Sequence, residues 1–466
     1  MEQYHSYLEE ILQDGVPKGD RTGTGTTSKF GVVRRYDISN NRLAAVQSKK
    51  LHLKTGFVEE DWMLSGDTNV KFLKENNVSI WDEWVKAGTG VYRPATQKEM
   101  ERNYRRTHFG WKDPYHSAYN PQAQPEGELV GDNDHFVVYV FPGQAYAIYH
   151  KHPAETGRME CDYSHSAWSI FYEMVGVPTQ TVVEGELGAV YGQMFRSIED
   201  TRLIADTDEL QPYLDRGFVM VGEVTGKPLA VITRRIDQFT DLIDGLRENP
   251  DSRRHILCPW NPAYLDEQAL PPCHSFIQFW TRELSVNERW MIMKVQYNEA
   301  LSQHIQMLKH GPEQSETPDY PITEPLPHEA FVRKRDECVH LDEDKMHSYM
   351  DSRLIPRRAL KCLVYMRSND AFLGAPYNLT FYSSLTHKIA HELNYWGEEL
   401  IHVVGDAHIY NNHQAQVTTQ LYRTPREMPR LKINQPVGTS VLDLTWRDLE
   451  VIGYDPDPAI EAPVAV

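Results

Sequence analysis

Cysteine is scarce in this sequence of 466 residues, and the few cysteines are not paired. The five are Cys161, Cys258, Cys273, Cys338 and Cys362, an odd number with no CxxC spacing. Disulfide frameworks and zinc ribbons need even-numbered or closely spaced cysteines, so neither is expected. Any cysteine with a function in this chain is therefore a candidate for a reactive thiol rather than for a disulfide or a zinc ligand.

Positive charge is also in short supply. Lys and Arg total 48 against 66 Asp and Glu, which gives a formal net charge of −18. Such a charge repels phosphate backbones and anionic lipid, so direct nucleic-acid binding and membrane-surface binding are not expected. Any phosphate site must consist of a local cluster of arginines.

Long apolar runs are missing as well. No segment approaches the ~20 apolar residues that cross a bilayer, and the N-terminal MEQYHSYLEE has neither a basic start nor an apolar run. The hydrophobic fraction of 40% and the charged fraction of 24% are those of an ordinary globular chain. We therefore expect a soluble, cytoplasmic protein.

Periodicity and composition outline the organisation of the chain. Apolar residues at helical spacing predict helices over residues 4–12, 51–84 and 379–401, and apolar runs predict strands over 136–141, 276–280 and 363–365. Gly15 is a suitable stop for the first helix. Residues 88–184 are rich in Pro, Gly, Tyr and His, which indicates an inserted subdomain. Residues 310–357 are rich in proline and acid, which indicates a second, exposed insertion.

Cys273 is the cysteine with the most suggestive surroundings. It follows Pro271 and Pro272 and precedes an apolar run that predicts a strand. With cations nearby in space it would be a thiolate nucleophile, and without them a buried structural cysteine is the better interpretation. A thiol protease is not favoured, because its local signature is missing.

Arginines in separate segments could supply those cations. Arg21, the pair Arg253 and Arg254, and Arg367 followed by Ser368 offer several guanidinium forks and a hydroxyl, which suit a phosphate dianion. Taken singly, each arginine is more typical of an exposed surface charge. Their convergence on one site is the hypothesis.

Nine motifs occur in an order that resembles the thymidylate synthase family, which includes the phage pyrimidine hydroxymethylases. They are DRTGTGT, GDTN, SIWDEW, GAVYG, DSRRHIL, ALPPCH, MRSNDAFLGAPYN, GDAHIYNNH and EAPVAV. The resemblance implies an α/β (α+β) fold with a large mixed sheet and flanking helices, and a homodimer. The catalytic domain would comprise residues 1–87, 185–309 and 358–466, interrupted by the two insertions.

The resemblance also implies the chemistry. Cys273 would add to C6 of dUMP, so that C5 attacks the one-carbon unit of 5,10-methylenetetrahydrofolate. Glu59 would organise water and proton transfer near the base. Tyr191 and Asn411 would take part in proton movement and ring positioning, and Arg367 would stand beside the nucleophile.

The substrate would be held by the residues that match the family's nucleotide site. Asn378 would read the base, since an amide can donate to O4 and accept from N3–H of uracil, whereas cytosine presents the reverse pattern. His408 and Tyr410 would bind the ribose. The phosphate would be bound by Arg21, Arg367 and Ser368, joined by Arg253 and Arg254 of a second subunit.

The folate would stack on Trp81 and be fixed by Asp370 and Gly374, with the tail through Val466 closing over it. No metal is expected. His402, His408 and His413 lie close in the sequence, but their spacing does not place all three on one helical face.

The product depends on water access to the intermediate. Met366 stands where a synthase usually has glutamine, Glu60 and Asp61 stand where synthases have an apolar pair, and two insertions could reshape the site. These features favour 5-hydroxymethyl-dUMP, as in viruses that replace thymine, and would place the protein in the host cytoplasm. Trp81 and the EAPVAV tail favour the alternative, a thymidylate synthase making dTMP and dihydrofolate. A catalytically idle binding or assembly protein is the third hypothesis.

Overall fold

The computed structural model describes residues 1–85, 128–132, 136–141, 145–151, 159–161, 185–204, 210–223, 230–265, 268–296 and 343–464. Val466 and most of the two predicted insertions lie outside these residues. The chain divides into a main unit of residues 1–84, 187–198 and 237–466 and a second unit of residues 85–186 and 199–236. The domain boundaries drawn from the sequence stay predictions, and this division assigns 199–236 to the second unit.

The described part of the chain contains both helices and strands. The α-helices are α1 (Glu2–Asp14), α2 (Leu53–Leu64), α3 (Lys71–Glu75), α4 (Tyr191–Arg196), α5 (Gln211–Leu214), α6 (Gln238–Glu248), α7 (Glu343–Asp351), α8 (Gly374–Leu393) and α9 (Gln414–Leu421). Residues 286–296 are also helical. Short 3₁₀ turns span Asp82–Trp84, Asn411–His413 and Trp446–Asp448. None of these helices is long and apolar enough to cross a membrane.

The strands of the described residues form four sheets. The strands are β1 (Val16–Lys18), β2 (Thr26–Asp37), β3 (Glu128–Asp132), β4 (Phe136–Phe141), β5 (Ala145–Lys151), β6 (Met159–Cys161), β7 (Ile198–Ile204), β8 (Val219–Glu223), β9 (Ala230–Ile236), β10 (Ile256–Leu257), β11 (His274–Glu283), β12 (Arg358–Asp370), β13 (Trp396–Tyr410), β14 (Arg430–Ile433) and β15 (Leu449–Ile452). The predicted strands over 136–141, 276–280 and 363–365 are confirmed as parts of β4, β11 and β12.

A six-stranded mixed sheet organises the main unit. Its order is β1-β2-β13-β12-β11-β10, with β12 and β13 parallel and the other neighbours antiparallel. Helix α8 joins the parallel pair, as a parallel connection requires a crossover. A mixed sheet with flanking helices confirms the predicted α/β fold.

Helix α8 ends earlier than its apolar sequence predicts. Asn394 adopts the left-handed conformation with φ of 52°, and strand β13 begins at Trp396. The predicted helix over 379–401 is therefore wrong at its end, because the buried run that follows Asn394 belongs to a parallel strand. Such strands are nearly continuously apolar and resemble buried helix in sequence.

The opening helix is confirmed, and Gly15 ends it for a steric reason. Tyr4, Tyr7, Leu8 and Ile11 form its buried face. A Cβ at position 15 would lie 2.3 Å from the carbonyl oxygen of Ile11, so only glycine fits this close approach.

The predicted helix over 51–84 is wrong in its middle, since α2 and α3 are separate helices.

The second unit contains two small sheets. Their orders are β3-β4-β5-β6 and β7-β9-β8. Ile204, Phe218 and Ile232 form a buried apolar cluster on the three-stranded sheet. This cluster gives the three-stranded sheet an apolar core of its own.

A buried ion triad joins α2 to α8. The Lys388 ammonium lies 3.3 Å from Oε1 of Glu60 and 3.1 Å from Oδ1 of Asp61, and the side chains of Lys388 and Glu60 are fully buried. Asp61 also accepts a hydrogen bond of 2.7 Å from the backbone N–H of Trp446. Burial raises the pKa of Glu60 to about 7, and Lys388 opposes this shift. The helix pair therefore depends on one lysine for its charge balance.

Replacing Lys388 with Met should lower the free energy of unfolding by about 3–5 kcal/mol, because two buried carboxylates lose their cation. Denaturant unfolding at neutral pH measures the change. Lys71→Met, at a lysine whose side chain is 80% exposed, is the matched control. The triple variant Glu60→Leu, Asp61→Leu, Lys388→Met should recover most of the loss. A Lys388→Met variant as stable as the control would contradict the role of the triad.

Candidate active site

The candidate nucleophile lies where β11 begins to pair with β12. His274 stands opposite Met366 in the register of the two strands. The backbone N–H of Arg367 donates to the carbonyl oxygen of Cys273 at 3.0 Å. The strand pairing thus brings Cys273 beside Arg367, although they are 94 residues apart.

The Arg367 guanidinium is fixed by the two prolines that precede the thiol. Its Nε donates to the carbonyl of Pro272 at 2.9 Å, and an Nη donates to the carbonyl of Pro271 at 2.8 Å. The same Nη lies 3.9 Å from Sγ of Cys273. Burial raises the pKa of this half-buried thiol, and Arg367 acts in the opposite direction. A cation beside the thiol is what the nucleophile interpretation required.

Tyr191, at the start of α4, holds the backbone next to the thiol. Its hydroxyl accepts hydrogen bonds from the N–H groups of Cys273 at 2.7 Å and His274 at 3.3 Å. Burial raises its pKa well above the ordinary value, so the phenol stays neutral. A neutral phenol keeps one proton that it can donate.

Glu59 on α2 pairs with Trp81. The indole Nε1–H donates to Oε1 of Glu59 at 2.8 Å. Trp81 is buried among the rings of Trp62, Trp84 and Tyr191, with ring centroids 5.7, 5.9 and 6.2 Å away. Burial raises the pKa of Glu59 to about 7, and the Trp81 hydrogen bond opposes the shift. A carboxyl with a pKa near neutrality suits proton transfer.

Glu60 and Asp61 contact a different part of the protein from Glu59. Both pair with Lys388, whereas Glu59 contacts Trp81. Successive residues of a helix point in different directions, which separates the three acids. Glu60 and Asp61 therefore contact a lysine of α8 rather than Trp81, and their predicted effect on water access stays a prediction.

Asn378, in the first turns of α8, has both ends of its amide hydrogen-bonded. Its Oδ1 accepts from Nδ2 of Asn369 at 2.9 Å, and its Nδ2 donates to Nε2 of His274 at 2.9 Å. The other ring nitrogen of His274 lies 2.8 Å from the hydroxyl of Tyr382. Burial, followed by the nearby His402, lowers the pKa of His274 to about 3, so its ring is neutral.

Sequence reasoning gave no role to His274, Asn369 or Tyr382. His274 adjoins the nucleophile and Asn369 lies inside the MRSND motif, so proximity to named residues was a usable signal for both. Tyr382 sits among the apolar residues of α8 and gave no such signal.

Asp370 and Gly374 form the turn that leads into α8. Oδ1 of Asp370 accepts from the N–H groups of Phe372 at 2.9 Å and Leu373 at 3.1 Å. A Cβ at Gly374 would lie 3.7 Å from Oδ1 of Asn378, which is ordinary contact. The turn thus places Asp370, Gly374 and Asn378 side by side.

The glycine-rich loop with Arg21 packs against the end of β13. Asn411 donates from its backbone to the carbonyl of Gly25 at 3.0 Å and from Nδ2 to the carbonyl of Thr24 at 3.3 Å. Gly25 has φ of 77°, and a Cβ there would lie 2.5 Å from Nδ2 of Asn411. Glycine is therefore required at this position. The exposed Asn411 side chain is bonded to the loop.

Tyr410 shares an electrostatic neighbourhood with several predicted site residues. Burial and then Asp370 raise its pKa to about 12, Arg21 lowers it, and Cys273 raises it. His408 stacks edge-on against Tyr410 at 5.1 Å and lies 3.3 Å from a carboxylate oxygen of Asp406. Arg21, Asp370, Cys273, His408 and Tyr410 therefore belong to one region.

Arg253, Arg254 and Ser368 are not brought to the thiol by any direct contact among the described residues. Both arginines are exposed just before β10, and their guanidinium groups make no hydrogen bond or ion pair within the described part of the main unit. Ser368 is half-buried on β12, opposite Asp406 of β13. Their binding roles stay predictions.

The three histidines near the end of β13 have separate partners. His402 Nε2 lies 3.1 Å from the sulfur of Met366, and His413 Nε2 donates to the carbonyl of Pro463 at 2.7 Å. Over the described ranges, no group of three or more His, Cys, Asp or Glu could hold a metal ion. The bond from His413 also holds the C-terminal segment in place, while the predicted cofactor contact Val466 lies outside the described residues.

Comparison with known proteins relates this site to a family. The sequence profile described as thymidylate synthase matches residues 2–302 and 341–466. The chain belongs to the thymidylate synthase family. The matched ranges contain all sixteen predicted site residues, and the resemblance that the nine motifs indicated is confirmed.

Curated relatives carry the same description. Thymidylate synthases of Listeria monocytogenes serotype 4b (strain CLIP80459) and Listeria innocua serovar 6a (strain ATCC BAA-680 / CLIP 11262) are both 28% identical to this chain over 466 residues. Each alignment covers 100% of this chain and 100% of the relative. Members of the thymidylate synthase family are one-carbon transferases acting on dUMP, which confirms the predicted enzyme class.

The pKa of Glu59 gives a testable pH dependence. The folded-state pKa of about 7 lies above the ordinary value of 4.5, so the stability that protonation contributes is lost as pH rises through about 7. Glu59→Gln removes this dependence and keeps an acceptor for the Trp81 indole. We expect the variant to gain stability over wild type at pH 8 relative to pH 5 in denaturant unfolding.

Glu9→Gln is the control for this comparison, because Glu9 is exposed on α1. It should show the same difference from wild type at both pH values. A Glu59→Gln variant that behaves like Glu9→Gln would contradict the raised pKa of Glu59.

Proposed function

We propose that this chain transfers a one-carbon unit from 5,10-methylenetetrahydrofolate to C5 of dUMP, with Cys273 as the nucleophile. The observation that carries the proposal is the thiol itself, 3.9 Å from a guanidinium that two proline carbonyls hold in place. This pair lies within the range that matches the family profile. The positions of Tyr191, Glu59 and Asn378 around it support the same chemistry.

The proposed reaction begins with bond formation between Sγ of Cys273 and C6 of the pyrimidine. Electron density then moves to C5, which becomes able to attack a one-carbon electrophile. After C5 loses its proton, the bond from the one-carbon group to the folate nitrogen would break, and that group would then take up hydride or water. The thiolate would finally leave C6, which restores the C5–C6 double bond of the product. Glu59, with its pKa of about 7, and the neutral phenol of Tyr191 are the proton-transfer groups that we assign to these steps.

The residues present fit a folate cosubstrate. Trp81 and Trp84 provide aromatic rings for a flat pterin, and Asp370 provides a carboxylate acceptor for its N–H groups. Gly374 lies beside Asp370 in the same turn. When bound, the folate supplies the one-carbon unit and, in a synthase, the hydride.

Asn378 would select the base. Each half of its amide keeps one free hydrogen-bonding position after its bonds to Asn369 and His274. The free N–H can donate to O4 of uracil, and the free lone pair of Oδ1 can accept from N3–H. This arrangement suits uracil rather than cytosine.

The phosphate site would be completed by a second copy of the chain. Arg21, Arg367 and Ser368 come from one subunit, and Arg253 and Arg254 would come from its partner. The two arginines are exposed without ion-pair partners in the described part of the main unit. Large apolar side chains on the main sheet are also exposed, among them Phe30 at 82% and Trp280 at 49%. An exposed apolar sheet surface favours association between copies.

Cys273→Ser should abolish turnover, since a hydroxyl is a far weaker nucleophile than a thiolate. Release of tritium from C5 of labelled dUMP, in the presence of methylenetetrahydrofolate, measures the covalent steps. Nucleotide affinity should change little, because the phosphate and base contacts remain. Cys258→Ser is the control and should keep activity. Tritium release by Cys273→Ser would overturn the nucleophile assignment, and none from wild type would favour the idle protein.

For the product we favour dTMP, and 5-hydroxymethyl-dUMP is the second candidate. Water access decides between them. Glu60 and Asp61 give less support to water entry, because both pair with Lys388. The buried Trp81 and the C-terminal segment held by His413 favour water exclusion, and the relatives are described as thymidylate synthases. Met366 and the two predicted insertions still favour hydroxymethylation.

Mass spectrometry of the nucleotide product tests this choice. We expect a gain of one methylene group over dUMP, with one dihydrofolate formed per product by absorbance. A product heavier by a further oxygen, with tetrahydrofolate instead of dihydrofolate, would reject dTMP and support the hydroxymethyl alternative. Trp81→Ala should increase the share of hydroxymethyl product, since it opens a path for water.

A further inference from the structure

A chain of buried hydrogen bonds leads from a sulfur atom to the base-reading amide. Met366 is 1% exposed and Asn369 is 3% exposed, and Nδ2 of Asn369 lies 3.5 Å from the Met366 sulfur. The same Nδ2 donates to Oδ1 of Asn378 at 2.9 Å. The hydroxyl of Tyr7 donates to Oδ1 of Asn369 at 2.9 Å. Asn369 therefore uses both ends of its amide.

The Met366 sulfur fixes which group donates and which accepts in this series of hydrogen bonds. A thioether sulfur can accept hydrogen bonds but cannot donate them. His402 approaches the same sulfur with Nε2 at 3.1 Å, so both neighbours of Met366 must act as donors. The N–H side of the Asn369 amide must then face Met366, and its oxygen must face Tyr7.

The donor and acceptor roles of Asn369 in turn fix those of Asn378 and His274. Because Asn369 donates to Asn378, the oxygen of Asn378 faces Asn369 and its N–H side faces Nε2 of His274. Nε2 must then be unprotonated, and the ring proton lies on Nδ1, toward the hydroxyl of Tyr382. The free N–H and the free lone pair of Asn378 match O4 and N3–H of uracil.

The other groups in this series of hydrogen bonds could also bond with their donor and acceptor roles exchanged. Amides can exchange their donor and acceptor ends by rotation, an imidazole can shift its proton between nitrogens, and hydroxyls can donate or accept. The reversed chain would present Asn378 with its oxygen and its N–H exchanged, which matches cytosine. Only the sulfur cannot reverse its role.

We propose that Met366 and Asn369 are positioning residues that set the preference for uracil over cytosine by fixing the orientation of Asn378. This inference rests on the proposed function, in which Asn378 reads the base. The buried chain makes the effect strong, since a donor or acceptor that is left unpaired away from water costs free energy. Neither residue needs to contact the nucleotide.

Asn369→Asp tests the proposal most sharply. A carboxylate only accepts, so it attracts the N–H side of the Asn378 amide, and the amide reverses. We expect kcat/KM for dUMP to fall and that for dCMP to rise, so that the ratio of the two falls at least about tenfold. Dissociation constants of the two nucleotides, measured by calorimetry, should change in the same directions.

Met366→Leu provides a second variant of similar size that removes only the sulfur acceptor. The ratio of kcat/KM for dUMP to that for dCMP should fall severalfold, because the series of hydrogen bonds loses the acceptor that fixes its donor and acceptor roles. Met350→Leu is the matched control, since Met350 is 0% exposed in a separate apolar cluster. Asn434→Asp, at an exposed position, controls for the added negative charge.

The outcomes separate this inference from the proposed function. If wild type releases no tritium from labelled dUMP, the proposed function fails. If wild type prefers dUMP, and the Asn369 and Met366 variants lose activity or affinity for both nucleotides by the same factor, the positioning role is wrong and the residues are only structural. Should Asn369→Asp fail to fold, judged by circular dichroism, an unchanged ratio in Met366→Leu alone would overturn the inference.

Discussion

The pairing of β11 with β12 is the constraint on which the candidate site depends. The register places His274 opposite Met366, and this one alignment brings the thiol of Cys273 to the guanidinium of Arg367. Two proline carbonyls then take up N–H groups of the arginine, so that the cation cannot turn away from the sulfur. A shift of one residue would exchange the two faces of the strand and separate the pair.

The three adjacent acids of α2 lie in different surroundings. Glu59 is held beside an indole and has a pKa near neutrality, whereas Glu60 and Asp61 share one buried lysine. Removing two carboxylates from water is costly, and the lysine offsets the cost only while all three remain together. The polar residues therefore strengthen the link between α2 and α8.

Sequence alone offers candidates for the parts of the site that lie in contiguous motifs. Cys273, Arg367 and Asn378 were proposed in this way and their roles stay predictions, whereas the mixed sheet, which the family resemblance implied, is confirmed. The end of α8 was missed, because a buried parallel strand follows Asn394 with the same apolar character. The partner of Asp61 was missed because Lys388 is 327 residues away and nothing local indicates it. Long-range pairing is decided by the three-dimensional register, which one sequence does not reveal.

The bond between Tyr7 and Asn369 has a consequence for biosynthesis. The two residues are 362 positions apart, so the first helix is made long before β12, the strand that carries Asn369. At about 5–20 residues per second, the ribosome needs tens of seconds to deliver that strand. Throughout this interval the apolar face of α1, with Tyr4, Leu8 and Ile11, has β2 beside it but lacks the later strands of the sheet. The buried surroundings of α1 are therefore complete only when most of the polypeptide has emerged.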